Sequence, residues 1–147
     1  MEQLLDALKR AFANTHAMYI KSHGYHWNGV GTNFPQYHAF FESIYEELYG
    51  AIDSFAEHIR ACGAYAPASY SELSSLASIQ DERGVPSMLE MIQVLYSDNQ
   101  IVLDSLRAAY EAAEEADEIG LSNYLQDRYD AHMKHAWQLR STLRQNP

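Results

Sequence analysis

Cysteine is nearly absent: Cys62 is alone in a chain of 147 residues. One thiol cannot close an internal disulfide, which excludes a disulfide-framed scaffold, and it cannot build a multi-cysteine zinc or iron–sulfur site. Proline and glycine are sparse, at 4 and 7 residues, so few positions interrupt regular structure. No run of about 18 apolar residues occurs, so no bilayer-spanning helix is expected. The opening Met1-Glu2-Gln3-Leu4-Leu5-Asp6 lacks the basic and apolar regions of a signal peptide, and a soluble cytoplasmic protein is expected. Positive charge is also short. Ten Lys and Arg stand against 20 Asp and Glu, for a net charge of −10 with the histidines neutral. Such a surface repels phosphate backbones and anionic lipids, so simple electrostatic binding to nucleic acid or membrane is disfavoured. Signatures of nucleophilic catalysis are missing as well, with neither a Gly-x-Ser-x-Gly elbow nor a glycine-rich phosphate loop. No glutamate is followed by histidine three residues on, which argues against a di-iron centre inside a bundle core.

What is present is helical periodicity. Hydrophobic residues make up 47% and charged residues 20%, a globular composition in a length that suits one domain spanning residues 1–147. Leu4, Leu5, Leu8, Phe12, Thr15, Met18 and Tyr19 recur every three or four residues and predict a first helix ending near Gly24–Trp27. Asn28 to Asn33 reads as a turn, with Thr32 or Asn33 capping a second helix and Pro35 in its first turn. Tyr37, Phe41, Ile44, Leu48, Ile52, Phe55 and Ile59 carry that helix to a stop at Gly63. The connection over 63–86 is long for a bundle, with room for a short helix over Ser69–Ser75. Ser87 with Glu90 forms a capping box for a third long helix, which Gly120 is expected to end beyond the acids Glu114, Glu115, Asp117 and Glu118. A fourth carries Leu125, Tyr129, His132, Ala136, Leu139 and Leu143. Four long helices with one long middle connection predict an all-α, ferritin-like four-helix bundle with a short extra helix between the second and third.

The second helix holds the chemistry. His38 and Glu42 are four apart, as are Asp53 and Glu57. At about 100° per residue, they fall near 0°, 40°, 60° and 100°, on one side of the helix beside the apolar stripe. At about 1.5 Å rise per residue, Glu42 and Asp53 are nevertheless roughly 16 Å apart along the axis. A metal–oxygen bond is about 2.0–2.6 Å, so one ion cannot bridge both pairs in one chain. Either two separate weak sites exist, or two copies pack antiparallel about a two-fold axis and each site is shared. His26, just before the turn, lies at the same end as His38. Two imidazoles with three carboxylates suit Fe(II) or Zn(II).

His26-Trp27-Asn28, Gly31, Phe34, His38 and Glu42, followed by Asp53 and Ala56-Glu57, form a pattern that resembles the Dps family, the mini-ferritins or DNA-binding proteins from starved cells. Lys21, His23, His26 and Trp27 near the start and His132, Trp137, Leu139 and Arg140 near the end extend the resemblance over nearly the whole chain. It implies hollow dodecamers with an inter-subunit ferroxidase centre. One subunit gives His26, His38 and Glu42, and its partner gives Asp53 and Glu57. It implies oxidation of Fe(II), up to two ions per centre, by hydrogen peroxide or dioxygen, and storage of ferric mineral in the cage, with zinc able to substitute for iron. It further implies that Trp27, beside a ligand, absorbs an oxidising equivalent, and that His23 supports the site from behind the ligands. Glu114, Glu115, Asp117, Glu118, Asp127 and Asp130 would fall near a three-fold pore, with Asn123 standing where relatives carry an acid. The family often binds DNA through a lysine-rich tail, but only Lys9 and Arg10 lie near this N-terminus, so DNA binding is doubtful. His132, in an apolar stripe, is expected to be a buried hydrogen-bonding residue, and His58 a surface or supporting one. The alternatives are a non-catalytic acidic cage or nucleoid-associated structural protein, and a related cage binding zinc or another divalent metal.

Overall fold

The computed structural model describes residues 1–144; the last three residues of the expected 1–147 span lie outside the described residues. Five helices follow in order: α1 (Glu2–Asn28), α2 (Phe34–Ala61), α3 (Tyr70–Leu76), α4 (Met88–Glu115) and α5 (Ile119–Thr142). No strand occurs among the described residues. The short loops 29–33 and 116–118 make α1/α2 and α4/α5 into two helical hairpins. The long connection joining them carries α3, which packs on α1, and gives the single crossover of a ferritin-like bundle.

The ends of the helices show why the chain turns where it does. Ser87 accepts from Glu90 N–H and the Glu90 carboxylate accepts from Ser87 N–H, so the expected capping box is formed. Ser69 caps α3 by accepting from Glu72 N–H. After α2, Gly63 takes φ +89, a conformation that costs glycine nothing, and Ala64 N–H closes on Ile59 O at 3.3 Å. Two expectations are corrected. Asn33 is the N-cap of α2, but it sits in the left-handed region at φ 65 and its side chain makes no capping bond. Its carbonyl instead accepts from Gln36 and Tyr37 N–H, both at 3.1 Å. Gly120 does not break the chain. The break is at Asp117, with φ 58, after which Glu118 N–H reaches back to Ala113 O at 3.0 Å; Gly120 lies in the first turn of α5. Aspartate is one of the few non-glycine residues that visit this region readily.

Leu8, Met18, Ile44, Leu48, Phe55, Ile59, Leu95, Leu106, Leu125 and Leu139 are fully buried in one core, each side chain contributing about 1.5–3 kcal/mol by leaving water. A polar layer crosses this core. Lys21 Nζ meets Asp98 Oδ2 at 2.9 Å, with both side chains under a tenth exposed. Next to Asp98, Asn99 is bonded to the fully buried His132. Arg128 and His135, also on α5, both reach Glu47 on α2. The crossover is tied to α1 by Asn14, which accepts from Ser78 and Ile79 N–H at 2.7 and 3.3 Å, and by Tyr25, whose hydroxyl donates to Glu82 at 2.5 Å.

The polar layer gives stability a pH dependence. Burial drives the His132 imidazole well below its ordinary 6.5, with neighbouring His135 and Arg128 acting the same way. The unfolded chain therefore takes up a proton below about pH 6.5 that the folded one refuses, and stability falls as pH falls through that value. Burial alone would raise the Glu47 carboxyl, but hydrogen bonds from His135 and Arg128 and the Arg128 charge hold it well below the ordinary 4.5. Its contribution is present above about 4.5 and is lost on further acidification. The melting temperature is thus expected to decline below pH 6.5 and more steeply below 4.5. His132→Gln should flatten the first limb. An unchanged melting temperature between pH 7 and 5 in the wild type would contradict this.

Candidate metal centre

The loop 29–33 brings the end of α1 against the start of α2. Gly31 at φ +128 has a conformation that L side chains rarely adopt. At Gly29, an added Cβ would meet Tyr25 O at 3.0 Å. This tight return faces His26 with His38. The two rings stack at 3.7 Å between centroids and 17° between planes. Their Nδ1 atoms bond reciprocally, His26 to His38 O and His38 to His26 O, each at 2.8 Å. A carbonyl oxygen only accepts, so both Nδ1 atoms carry a proton, and in the neutral ring the lone pair is on Nε2. That is the state a metal-binding imidazole requires, held in orientation from behind. His26 is buried and His38 half-buried.

Glu42 stands one turn beyond His38 and is exposed. Tyr45 lies next to it, its phenol pushed up by burial and by the charge of Glu42. Asp53 and Glu57 are exposed on the same continuous helix. The Asp53 carboxylate beside Glu57, sharing a hydrogen bond with it, pushes the Glu57 carboxyl up. Two carboxylates held close enough to repel are a ready seat for a cation. Because α2 is unbroken from Phe34 to Ala61, the axial distance of roughly 16 Å between Glu42 and Asp53 stands. The structure therefore brings His26, His38 and Glu42 together at one end of α2 and Asp53 with Glu57 near the other. Within one chain, it does not bring the two halves together.

Trp27 is 64% exposed and lies against His23, centroids 4.1 Å apart. His23 in turn stacks on Tyr45 at 3.9 Å and 12°, and Tyr45 meets His26 edge-on at 5.1 Å. Aromatic rings thus wall the histidine pair on the α1 side. His58 stacks on Tyr124 and donates through Nδ1 to Ser54 O. His132 is the buried hydrogen-bonding residue that its stripe predicts. Glu114, Glu115, Asp117, Asp127 and Asp130 are all exposed at or near the α4–α5 turn, and Glu118 is half-buried. Glu47, Arg128 and His135 were not singled out by the sequence. The repeat Leu121, Leu125, Arg128, His132, His135, Leu139, all buried, was the signal that could have found the last two.

The ferritin-like domain family matches residues 5–146. The DNA protection during starvation protein of Brevibacillus brevis is 34% identical over 92% of this chain and 91% of its own length. General stress protein 20U of Bacillus subtilis is 30% identical over 97% of this chain and 98% of its own. Among solved structures, the Dps protein of Vibrio cholerae O1, described as a member of a broad superfamily of ferritin-like diiron-carboxylate proteins, superposes with a TM-score of 0.92 at 32% identity. That superposition covers 97% of this chain and 89% of the other. The motif, the single-crossover bundle and these likenesses agree, and the chain belongs to the Dps family of ferritin-like proteins.

Proposed function

We propose that this protein is an iron-storing mini-ferritin whose ferroxidase centre is shared between two chains. The observation that carries the reading is the split ligand set. Two histidines are locked with Nε2 available beside Glu42, while the paired carboxylates Asp53 and Glu57 sit far along the same helix. Antiparallel pairing about a two-fold axis sets each half against the other half of a partner and yields two equal sites per dimer. The donors fit Fe(II), which takes imidazole and carboxylate together, and they would also hold zinc.

In this reading Fe(II) is the substrate. Two Fe(II) ions each give one electron to hydrogen peroxide, its O–O bond breaks, two protons are taken up, and two water molecules and two Fe(III) ions result. Both electrons leave in one encounter, so no hydroxyl radical escapes. Dioxygen is the alternative oxidant. His26 and His38 orient and hold the ion, and Asp53 and Glu57 of the partner chain offset the charge of the ferric product. Trp27 absorbs an oxidising equivalent that leaves the centre. The ferric product is stored in the cavity of a closed dodecamer. No helix among the described residues is long and apolar enough to cross a membrane.

The test adds Fe(II) and then peroxide to the purified protein, following ferric absorbance and particle size. The expected result is a particle of twelve chains, rapid ferric absorbance and no precipitate. A stable particle of one chain near 17 kDa, or iron that oxidises no faster than in buffer, would defeat the reading; an assembled cage without turnover would leave the structural-protein alternative. Twelve copies, at −10 each, carry −120. Plasmid DNA at physiological salt and without divalent metal should therefore show little retardation.

A further inference from the structure

The shared centre makes no use of the polar cluster at the α2–α5 seam. Glu47, Arg128, His132 and His135 converge there, backed by Asn99 of α4. Arg128, His132 and His135 are buried, while the Glu47 side chain is 35% exposed. The guanidinium donates to both carboxylate oxygens, Nη1 to Oε2 at 2.5 Å and Nη2 to Oε1 at 3.0 Å. The same Nη2 lies 3.2 Å from His132 Nε2. His135 Nε2 lies 2.8 Å from Glu47 Oε1. Asn99 donates to His132 O at 2.9 Å, so its own oxygen faces His132 Nδ1 at 2.7 Å and fixes the proton there. His132 Nε2 therefore presents a lone pair, and the hydrogen-bonding group it meets among the described residues is the Arg128 cation. His135 Nδ1 and Arg128 Nε are buried without a hydrogen-bond partner among the described residues.

Apart from the arginine, this is a carboxylate on one helix facing two imidazoles three residues apart on the next, one of them oriented by an amide behind it. Two histidines with one carboxylate are a donor set for a divalent transition metal, and facing helices of a bundle are where such sets are built. Packing does not explain it, since well-packed apolar residues usually serve a core as well as or better than buried ions. With Arg128 in place the guanidinium meets Glu47 and His132, His135 spends its Nε2 proton on Glu47, and among the described residues no three His, Cys, Asp or Glu side chains gather to hold a metal ion. We propose that this cluster is a cation site whose resident cation is the Arg128 guanidinium, and that Arg128 keeps divalent metal out of the bundle core. The second half, insofar as the excluded metal is iron, rests on the function proposed above; the first half does not. A guanidinium does not lose its proton in a protein, so its position is never vacant. It also binds the carboxylate in two places. The acidic chain draws cations, Glu47 gives them an exposed edge, and the fixed charge behind it turns them away.

The test uses Co(II) alone as probe, in protein carrying His38→Ala and Asp53→Asn so that the interfacial ligands do not contribute. Adding Arg128→Ala should let each chain take up one more Co(II), seen as new visible absorption, and a further His132→Ala or His135→Ala should abolish the gain. Arg128→Met keeps the apolar stem and guards against a folding defect. Its melting temperature should rise with Co(II), which stabilises the folded state by binding it, while the parent with Arg128 shows no such rise. If either variant purifies unfolded, Co(II) should restore its helicity on refolding. No added Co(II) in a folded variant and no Co(II)-dependent gain in melting temperature or helicity would overturn the proposal. The cobalt count involves no turnover, so a failure of the ferroxidase reading, visible in the iron assay, leaves it unaffected.

Discussion

His38→Ala and Asp53→Asn, each assembled alone, should lower the initial rate of Fe(II) oxidation by at least about 100-fold. Loss of a group that merely supports a metal ligand costs about 10–100-fold, and these substitutions remove ligands outright. His38 takes with it both an Nε2 lone pair and the bond that its Nδ1 makes to His26 O, so the neighbouring ring loses its stacked partner as well. Asp53→Asn removes one of two carboxylates, and with it the shared hydrogen bond and the charge that push the Glu57 carboxyl up. Neither change touches the core. His38 is half-buried and Asp53 exposed, so for Asp53→Asn the melting temperature should stay within the roughly 0.5 kcal/mol band of surface substitutions. Glu46→Gln, exposed on the same helix and outside the ligand set, should keep wild-type turnover. Stopped-flow ferric absorbance reads all three. Near-normal oxidation by either His38→Ala or Asp53→Asn would remove that residue from the centre.

The legibility of the fold follows from where local rules act alone. The capping box at Ser87 and Glu90 and the helix stop at Gly63 need only residues within one turn, and both form as the sequence predicts. The chain break was misplaced at Gly120 because composition marks the glycine, whereas the turn is made by Asp117 in the left-handed region. The Asn33 side chain does not cap α2 because its own backbone is in that region, which turns the side chain's role over to its carbonyl. The α5 stripe read from the sequence takes in His132 but is otherwise aromatic and aliphatic, so it draws the buried face with Tyr129 and Ala136, both half-buried, in place of Arg128 and His135. A charged residue on a helix reads as solvated until its partner is known. Arg128 needs Glu47, 81 residues away, and Lys21 needs Asp98.

The candidate centre was legible to a different degree. Helix geometry alone puts His38, Glu42, Asp53 and Glu57 on one side of α2 and shows that they cannot meet in one chain. The reciprocal bonds between His26 and His38 lie across the 29–33 loop, and no spacing rule reaches across a turn whose shape depends on Gly31 at φ +128. The ring tautomers, which decide which nitrogen faces a metal, follow only from these bonds in three dimensions.

The claim at the centre of this account is that each site takes ligands from two chains. It is tested most directly by mixing His38→Ala chains with Asp53→Asn chains under co-refolding or co-expression, with mixed cages confirmed by mass spectrometry. In a dimer of one of each, one site carries both lesions and the other carries neither, because His38 and Asp53 of any site belong to different chains. Random pairing makes half the dimers mixed, so about a quarter of wild-type sites should return by the symmetry of a two-fold interface, and rapid Fe(II) oxidation with them. Mixed cages as inactive as either parent variant would contradict the shared centre and would return all of the ligands to a single chain.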